Sequence, residues 1–319
     1  MSSQSSQRSH PTAIHGPDDP VDGFLSALAA LLARYRLVAD RRHLRVGDTG
    51  RTAQVLIAGD GPPLVLVIGG AVPAAFWVPL MAQLRGHRLH AIELPGFGLT
   101  DATTYTPDTL RRTAVDHLAG ILDSLGLGPA PFVTQSMGSQ WTNWLAEEEP
   151  GRVQRQVMIA CPAFFLDTSA IAPFRLASLP GLGPLLMTAQ KPSTTNAERM
   201  LRAVGESPDG VEELRDILVA TQRLPAYTPS LLALMRSVMR RTQPRAQVVT
   251  SANQLRQVRR PVRLIWGDRD PFGGVSAGQR IAELIPQADL HVVPGGHAPW
   301  FRQAERVGRL TQEFLEDRR

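Results

Sequence analysis

The chain has one cysteine and one lysine in 319 residues, Cys161 and Lys191. A lone cysteine excludes an intramolecular disulfide and fits a reducing, cytoplasmic setting. Its place after the apolar run Gln156-Val-Met-Ile-Ala160 reads as a core thiol rather than a nucleophile. With lysine nearly absent, the formal net charge of +5 is carried by arginines. They are scattered rather than striped, so no nucleic-acid partner is expected, and the Arg/Ala/Gly/Pro bias reflects a GC-rich genome. The eight histidines are dispersed with no H-x-x-x-H spacing and there is no C-x-x-C, so no metal is expected. Charge is also missing from residues 61–84, a stretch long enough to cross a bilayer. Gly69, Gly70, Pro73 and Pro79 divide it into a β-rich and a helical half, so a buried strand, a loop and a helix are expected, and no membrane span.

Hydrophobic residues, 43% of the chain, are enough for a sizeable core. Residues 1–20 are Ser/Gln/His/Pro/Asp-rich without an apolar period and read as a disordered tail. An N-terminal helical segment, 21–42, follows, with Phe24, Leu25, Leu28, Leu31, Leu32 and Tyr35 on one stripe. Asp18, Asp19 and Asp22 stand where a signal peptide would carry basic residues, so a helix docked on the core is expected. A homodimer contact or a flap near the pocket are the other readings of that stripe.

Strands are expected at 43–48, 53–58, 64–68, 88–93, 131–135, 156–161, 262–266 and 290–293. Helices are expected near 76–85, 108–124, 138–149, 275–285 and 302–317. The fold class is therefore α/β: a mostly parallel eight-stranded sheet with helices on both faces. About a hundred residues separate the sixth and seventh strands, too many for a plain crossover. Proline and glycine punctuate their first part, and helical runs follow at 194–204, 209–222 and 229–241. Residues 163–250 are expected to form a mainly helical cap inserted into a core of 43–162 and 251–319, over the carboxyl ends of the strands.

Within Pro131-Phe-Val-Thr-Gln-Ser-Met-Gly-Ser139 an apolar run ends in a small turn and a helix-compatible segment follows. Strand, sharp turn and helix would lift the Ser136 hydroxyl above the sheet edge, as in the nucleophile elbow G-x-S-x-G, with Thr134 in place of the first glycine. A serine needs a base, and the base an orienting acid. Val262–Trp266 leads to Gly267-Asp-Arg-Asp270, and Leu290–Val293 leads to Gly295-Gly-His297. Asp268 and Asp270 are both candidates for the acid. Pro271 favours an extended backbone at Asp270.

The order Ser136, Asp270, His297 resembles that of the α/β-hydrolase superfamily, in its capped branch, and the resemblance covers residues 43–317. Leu64-Val-Leu-Val-Ile-Gly-Gly70 resembles the strand that ends in His-Gly-x, with Trp77 at the family's distance. Ile92-Glu-Leu-Pro-Gly-Phe-Gly-Leu-Thr100 resembles the D-x-P-G-x-G-x-S loop, and Gly-Asp-Arg-Asp270 and Gly-His297-Ala-Pro follow in family order. The sequence departs from the pattern at Ile68 for histidine, Glu93 for aspartate and Thr134 for glycine. Thr134 adds a Cβ where the turn is tight and predicts a strained elbow or a displaced helix.

The resemblance implies Ser136 as nucleophile, His297 as base, Asp270 as orienting acid, and the backbone N–H groups of Gly70 and Met137 as the oxyanion hole. No cofactor enters that mechanism. The elbow serine argues against the dehalogenase and epoxide hydrolase branches, which carry an aspartate there. The expected reaction is hydrolysis of a carboxylic ester, with carbon–carbon or thioester hydrolysis as neighbours. The same fold also hosts lyases, cyclases, cofactor-free oxygenases and ligand receptors. The apolar content of the cap points to a small, uncharged, largely hydrophobic substrate, with Phe164, Phe165, Met187 and Met235 as pocket candidates and the segment near 173–192 as the moving part.

Overall fold

The computed structural model describes residues 19–160, 164–165 and 168–317. Residues 1–18 of the tail expected at 1–20 lie outside them, as does Cys161, while Asp19 and Pro20 belong to the start of the first helix. Helix α1 (Pro20–Arg34) begins where Asp19 accepts a hydrogen bond from the Val21 amide at 2.7 Å, with Pro20 at the first helical position. Its apolar stripe buries Phe24, Leu28 and Leu31. The core then runs β1 (Ala39–Arg45), β2 (Thr52–Ala58), β3 (Pro63–Val67), α2 (Val78–Met81), β4 (Arg88–Ile92), α3 (Leu110–Ser124), β5 (Ala130–Gln135), α4 (Met137–Glu148) and β6 (Val153–Ile159). The insertion holds α5 (Ala172–Ala177), α6 (Leu182–Ala189), α7 (Thr194–Ala203), α8 (Glu212–Arg223), α9 (Tyr227–Val238) and a hairpin of β7 (Met239–Arg240) with β8 (Gln243–Pro244). After α10 (Ala252–Gln257) the core resumes with β9 (Val262–Gly267), α11 (Val275–Leu284), β10 (Ala288–Val293) and α12 (Trp300–Glu316).

The main sheet has eight strands in the order β1-β2-β4-β3-β5-β6-β9-β10. The β1–β2 and β2–β4 pairs are antiparallel and all others parallel. Alternation along the central strands divides the apolar interior between the two faces. Val65, Val67 and Phe132 join a cluster with Leu118 and Ile121 of α3 and Trp141 and Trp144 of α4. Leu64, Leu66 and Val133 join the opposite cluster with α1, Trp77 and Leu80, and with Trp300, Val307 and Phe314 of α12. Residues Leu64–Val67 are fully buried, as a strand covered on both faces requires. Helix α1 lies against α8, so the N-terminal stripe is docked inside this chain.

Several boundaries differ from the sequence reading. The first strand is Ala39–Arg45, so the N-terminal helical segment ends at Arg34 instead of 42. This strand forms through backbone pairing to β2 at a sheet edge, where Arg41 and Arg42 face solvent and leave no apolar period to read. The helix expected at 76–85 is a 3₁₀ turn at Ala74–Trp77 followed by the single turn of α2, because Pro79 fits only a helix's first turn. The run expected to be helical to 241 stops at Val238. Arg241 and Thr242 take φ of 49° and 70°, the double left-handed turn that closes a two-residue hairpin. Among the described residues no helix is long and apolar enough to cross a membrane.

Candidate active site

Ser136 stands between β5 and α4 at φ 49° and ψ −122°, a conformation a side chain rarely adopts. It is half-buried while its neighbours are buried, so its hydroxyl faces a cavity. The turn is tight because α4 lies on β3. A Cβ on Gly138 would collide with the carbonyls of Val67 and Ile68. Thr134, however, belongs to a regular strand, paired with Val67 on one side and Met158 on the other. Its hydroxyl meets Ser139 Oγ at 2.9 Å and the Val157 carbonyl at 3.1 Å, and accepts from Gln156 Nε2 at 3.0 Å. The left-handed φ falls at Ser136 itself, and the threonine is absorbed beneath α4.

Beyond β9, Asp270 Oδ2 and Oδ1 lie 2.9 and 3.1 Å from Nδ1 of His297. A carboxylate only accepts, so Nδ1 is the donor in this contact, and in the neutral imidazole that leaves the lone pair on Nε2. That Nε2 is buried and has no hydrogen-bond partner among the described residues. The Asp270 side chain is fully buried and also accepts from the Phe272 amide at 2.9 Å. Asp268, the other candidate, is turned away. It is about half exposed, accepts from the Gly295 amide at 2.9 Å and pairs with Arg269 at 3.5 Å.

Gln135 and Glu206 hold the loops that carry these groups, and sequence reasoning singled out neither. The Gln135 side chain accepts from the Gly69 amide at 3.0 Å and donates to the His297 carbonyl at 3.3 Å, tying the end of β3 to the histidine loop. Glu206 reaches that loop from the insertion. The signal for Gln135 was its place beside the elbow serine; Glu206 carries no motif.

Gly70 lines the cavity, and Met137 opens α4, where a helix's first N–H groups have no acceptor within the helix. The positive end of the α4 dipole lies at this end of the helix, next to Ser136. Glu93, in the loop after β4, is completely buried and accepts from the amides of Ala74 at 3.1 Å, Leu99 at 2.8 Å and Thr100 at 2.9 Å. Burial pushes its carboxyl up to about 7, against those hydrogen bonds. The glutamate thus bridges its own loop to the segment after the Gly69-Gly70 turn.

The cavity, of about 80 Å³, brings Ser136 and His297 together with Ile68, Gly70, Phe76 and Trp300 of the core. The insertion contributes Phe174, Met200, Leu201, Val204, Leu218 and Tyr227. The four pocket candidates drawn from composition are elsewhere. Phe164 and Met235 are buried in the cluster under α3 and α4, and Met187 packs against its edge. Phe165 is buried with Leu255 and Trp266 and bridges to Thr250. Trp300 and Phe301, just beyond the Gly-His-Ala-Pro motif, line the pocket instead. Trp300 stacks on Trp77 with centroids 4.7 Å apart and donates to the Phe76 carbonyl at 2.8 Å.

The chain is similar in sequence and in fold to several known proteins. A 2-hydroxy-6-oxononadienedioate/2-hydroxy-6-oxononatrienedioate hydrolase of Burkholderia vietnamiensis is 30% identical, over 86% of this chain and 91% of that protein. A pimeloyl-[acyl-carrier protein] methyl ester esterase of Nitrosomonas europaea is 28% identical, over 78% of this chain and 93% of the esterase. In fold, a carboxylesterase from Bacillus subtilis matches with a TM-score of 0.72 at 21% identity, over 93% of this chain and 98% of its own. A 2-hydroxy-6-oxo-6-phenylhexa-2,4-dienoate hydrolase from Rhodococcus matches with a TM-score of 0.73 at 20% identity, over 88% of this chain and all of its own. Residues 62–302 match the alpha/beta hydrolase fold family, and with the sheet order and elbow described above the chain belongs to that family as a hydrolase.

Proposed function

We propose that this hydrolase cleaves a small, uncharged, largely apolar carboxylic ester by acyl transfer to Ser136 and then to water. The observation that carries the reading is the lining of the cavity: among the described residues around Ser136 and His297 there is no lysine or arginine. A carboxylate buried there would lack a partner, at a cost of several kcal/mol. An ester offers only its carbonyl and alkoxy oxygens.

In this mechanism Ser136 Oγ gives its proton to Nε2 of His297 as it bonds to the ester carbonyl carbon. The carbonyl electrons move onto oxygen, held by the N–H groups of Met137 and Gly70; one such donor is worth about 10²–10³ in rate. The tetrahedral intermediate collapses, the carbon–alkoxy bond breaks, and Nε2–H passes its proton to the leaving alcohol. Water repeats the sequence on the acyl-enzyme. Asp270 keeps the imidazole in the tautomer that leaves Nε2 free and balances the imidazolium charge.

A second reading, carbon–carbon hydrolysis, draws on the dienedioate hydrolase relative and the dienoate hydrolase fold match. A dienedioate and a dienoate are both anionic, and among the described residues the cavity lining supplies no lysine or arginine for them. The experiment is a comparison of kcat/KM for p-nitrophenyl butyrate with that for a 2-hydroxy-6-oxo-dienoate. Ester turnover ahead of dienoate turnover supports the proposal, and efficient dienoate cleavage with negligible ester hydrolysis overturns it.

A further inference from the structure

Helix α7 ends with Gly205 at φ 81°, and the amides of Gly205 and Glu206 return to the carbonyls of Arg202 and Leu201 at 3.0 and 2.9 Å. This glycine-terminated turn presents the next side chain in a fixed direction. That side chain, Glu206, is 4% exposed. Its Oε1 accepts from the amides of Gly296 at 2.8 Å and Ala298 at 2.9 Å, the residues on either side of His297. The amide of His297 donates to the Val204 carbonyl at 2.8 Å. Three successive amides of the histidine loop are therefore held by two residues of the insertion, Val204 and Glu206. The two backbones touch: a Cβ on Gly205 would lie 3.0 Å from Gly296 Cα and 2.8 Å from the Arg269 carbonyl.

We propose that Glu206 is a positioning residue for the His297 base, an inference that rests on the serine-hydrolase reading above. Its carboxylate makes two charge-assisted hydrogen bonds that fix the height and direction of the histidine loop, while Gln135 fixes the loop's carbonyl from the other side. Removal of the acceptor leaves two buried N–H groups unpaired, and the loop must shift to satisfy them. A shift of the imidazole degrades proton transfer from Ser136 more than it degrades substrate binding. Burial raises the Glu206 carboxyl above its usual range, and the two amides, then His297 and Arg269, oppose the shift. The end of α7 is accordingly a fixed part of the base's mounting, and the insertion must admit substrate elsewhere.

The test compares Glu206→Leu, which cannot accept, with Glu206→Gln, which keeps one acceptor oxygen at the same reach. Ester hydrolysis and amide exchange over residues 294–299 are measured on both. Glu206→Leu should lose about ten-fold or more in kcat with KM little changed, and the Gly296 and Ala298 amides should exchange faster. Glu206→Gln should recover most of kcat and of the protection. If Glu206→Leu does not fold, Glu206→Asp, one methylene short of the amides, replaces it with the same expected direction. Wild-type kcat and unchanged exchange in the variant lacking the reach would overturn the proposal, as would equal loss in Glu206→Gln. The exchange measurement needs no substrate, so it decides the role of Glu206 even if the wild-type protein proves inactive on esters.

Discussion

The phenyl ring of Phe272 lies stacked on the imidazole of His297, with centroids 3.9 Å apart and planes 26° from parallel. Two residues earlier in the chain, Asp270 holds the edge of the same ring through Nδ1. One short turn therefore controls both the tilt and the tautomer of the imidazole, and Phe272 also closes one side of the cavity. Phe272→Leu keeps the apolar bulk and removes the flat face. It should lower kcat by about ten-fold, as a modest loss of preorganisation does, with thermal stability little changed. Steady-state kinetics and a melting curve on the pure variant check it; an unchanged kcat would mean that Asp270 alone aligns the ring.

The two aspartates after β9 make different contacts, and substitution should separate them. Asp270→Asn leaves shape intact and removes tautomer control, so kcat should fall by roughly 10⁴. Asp268→Asn retains an oxygen to accept the Gly295 amide and should stay within about three-fold of wild type, a change of under 1 kcal/mol. The reverse ranking in kcat would reassign the acid.

Acid sensitivity should trace in part to His117. It is fully buried on α3, with Nε2 donating to the Glu93 carbonyl at 3.0 Å. Burial, partly opposed by that hydrogen bond and reinforced by Arg51, lowers its pKa to about 4 from 6.5. Between those values the unfolded chain binds a proton that the folded chain refuses. Its contribution to stability is therefore complete above about 6.5 and is lost as pH falls towards 4, by ~3 kcal/mol at most. His117→Gln keeps a donor and does not titrate. The drop in urea midpoint between pH 7.5 and 5 should be smaller in the variant than in wild type; His90 and Glu93 titrate alike in both proteins and cancel. Equal drops would show that His117 is protonated without penalty.

The size of the cavity limits the acyl group. At about 80 Å³ of space, it holds on the order of six water-sized groups. Catalytic efficiency over p-nitrophenyl esters should rise from acetyl to about butyryl, each buried methylene contributing about 0.8 kcal/mol. Longer chains should level off or decline unless α5 and α6, which carry Phe174 and the exposed Leu176, Leu182 and Leu185, move outwards. A series that falls from acetyl onward would mean a polar or blocked pocket.

The succession of strands along the chain was legible, and Ser136, Asp270 and His297 were marked out because each stands in a Gly- or Ser-containing turn after a short apolar run, a local pattern. The order of strands in the sheet was not legible, since it depends on pairing between distant segments. The edge strand Ala39–Arg45 was not, since pairing along its backbone leaves no mark on exposed side chains. Phe164, Phe165, Met187 and Met235 were chosen because the insertion is apolar, but composition cannot say which face of a helix turns to the pocket. Phe174 of α5, Leu218 of α8 and Tyr227 of α9 do so. Gln135 and Glu206 act through backbone amides distant in sequence, at Gly69, Gly296 and Ala298, and only the folded chain brings those together.

Acyl transfer to Ser136 is read out by the intact mass and peptide map of the protein after reaction with a fluorophosphonate. One adduct per chain is expected on the peptide containing Ser136, none on folded Ser136→Ala, and loss of ester hydrolysis in step with labelling. Folded wild-type protein that stays unlabelled, or an adduct on another residue with ester hydrolysis abolished, would contradict it.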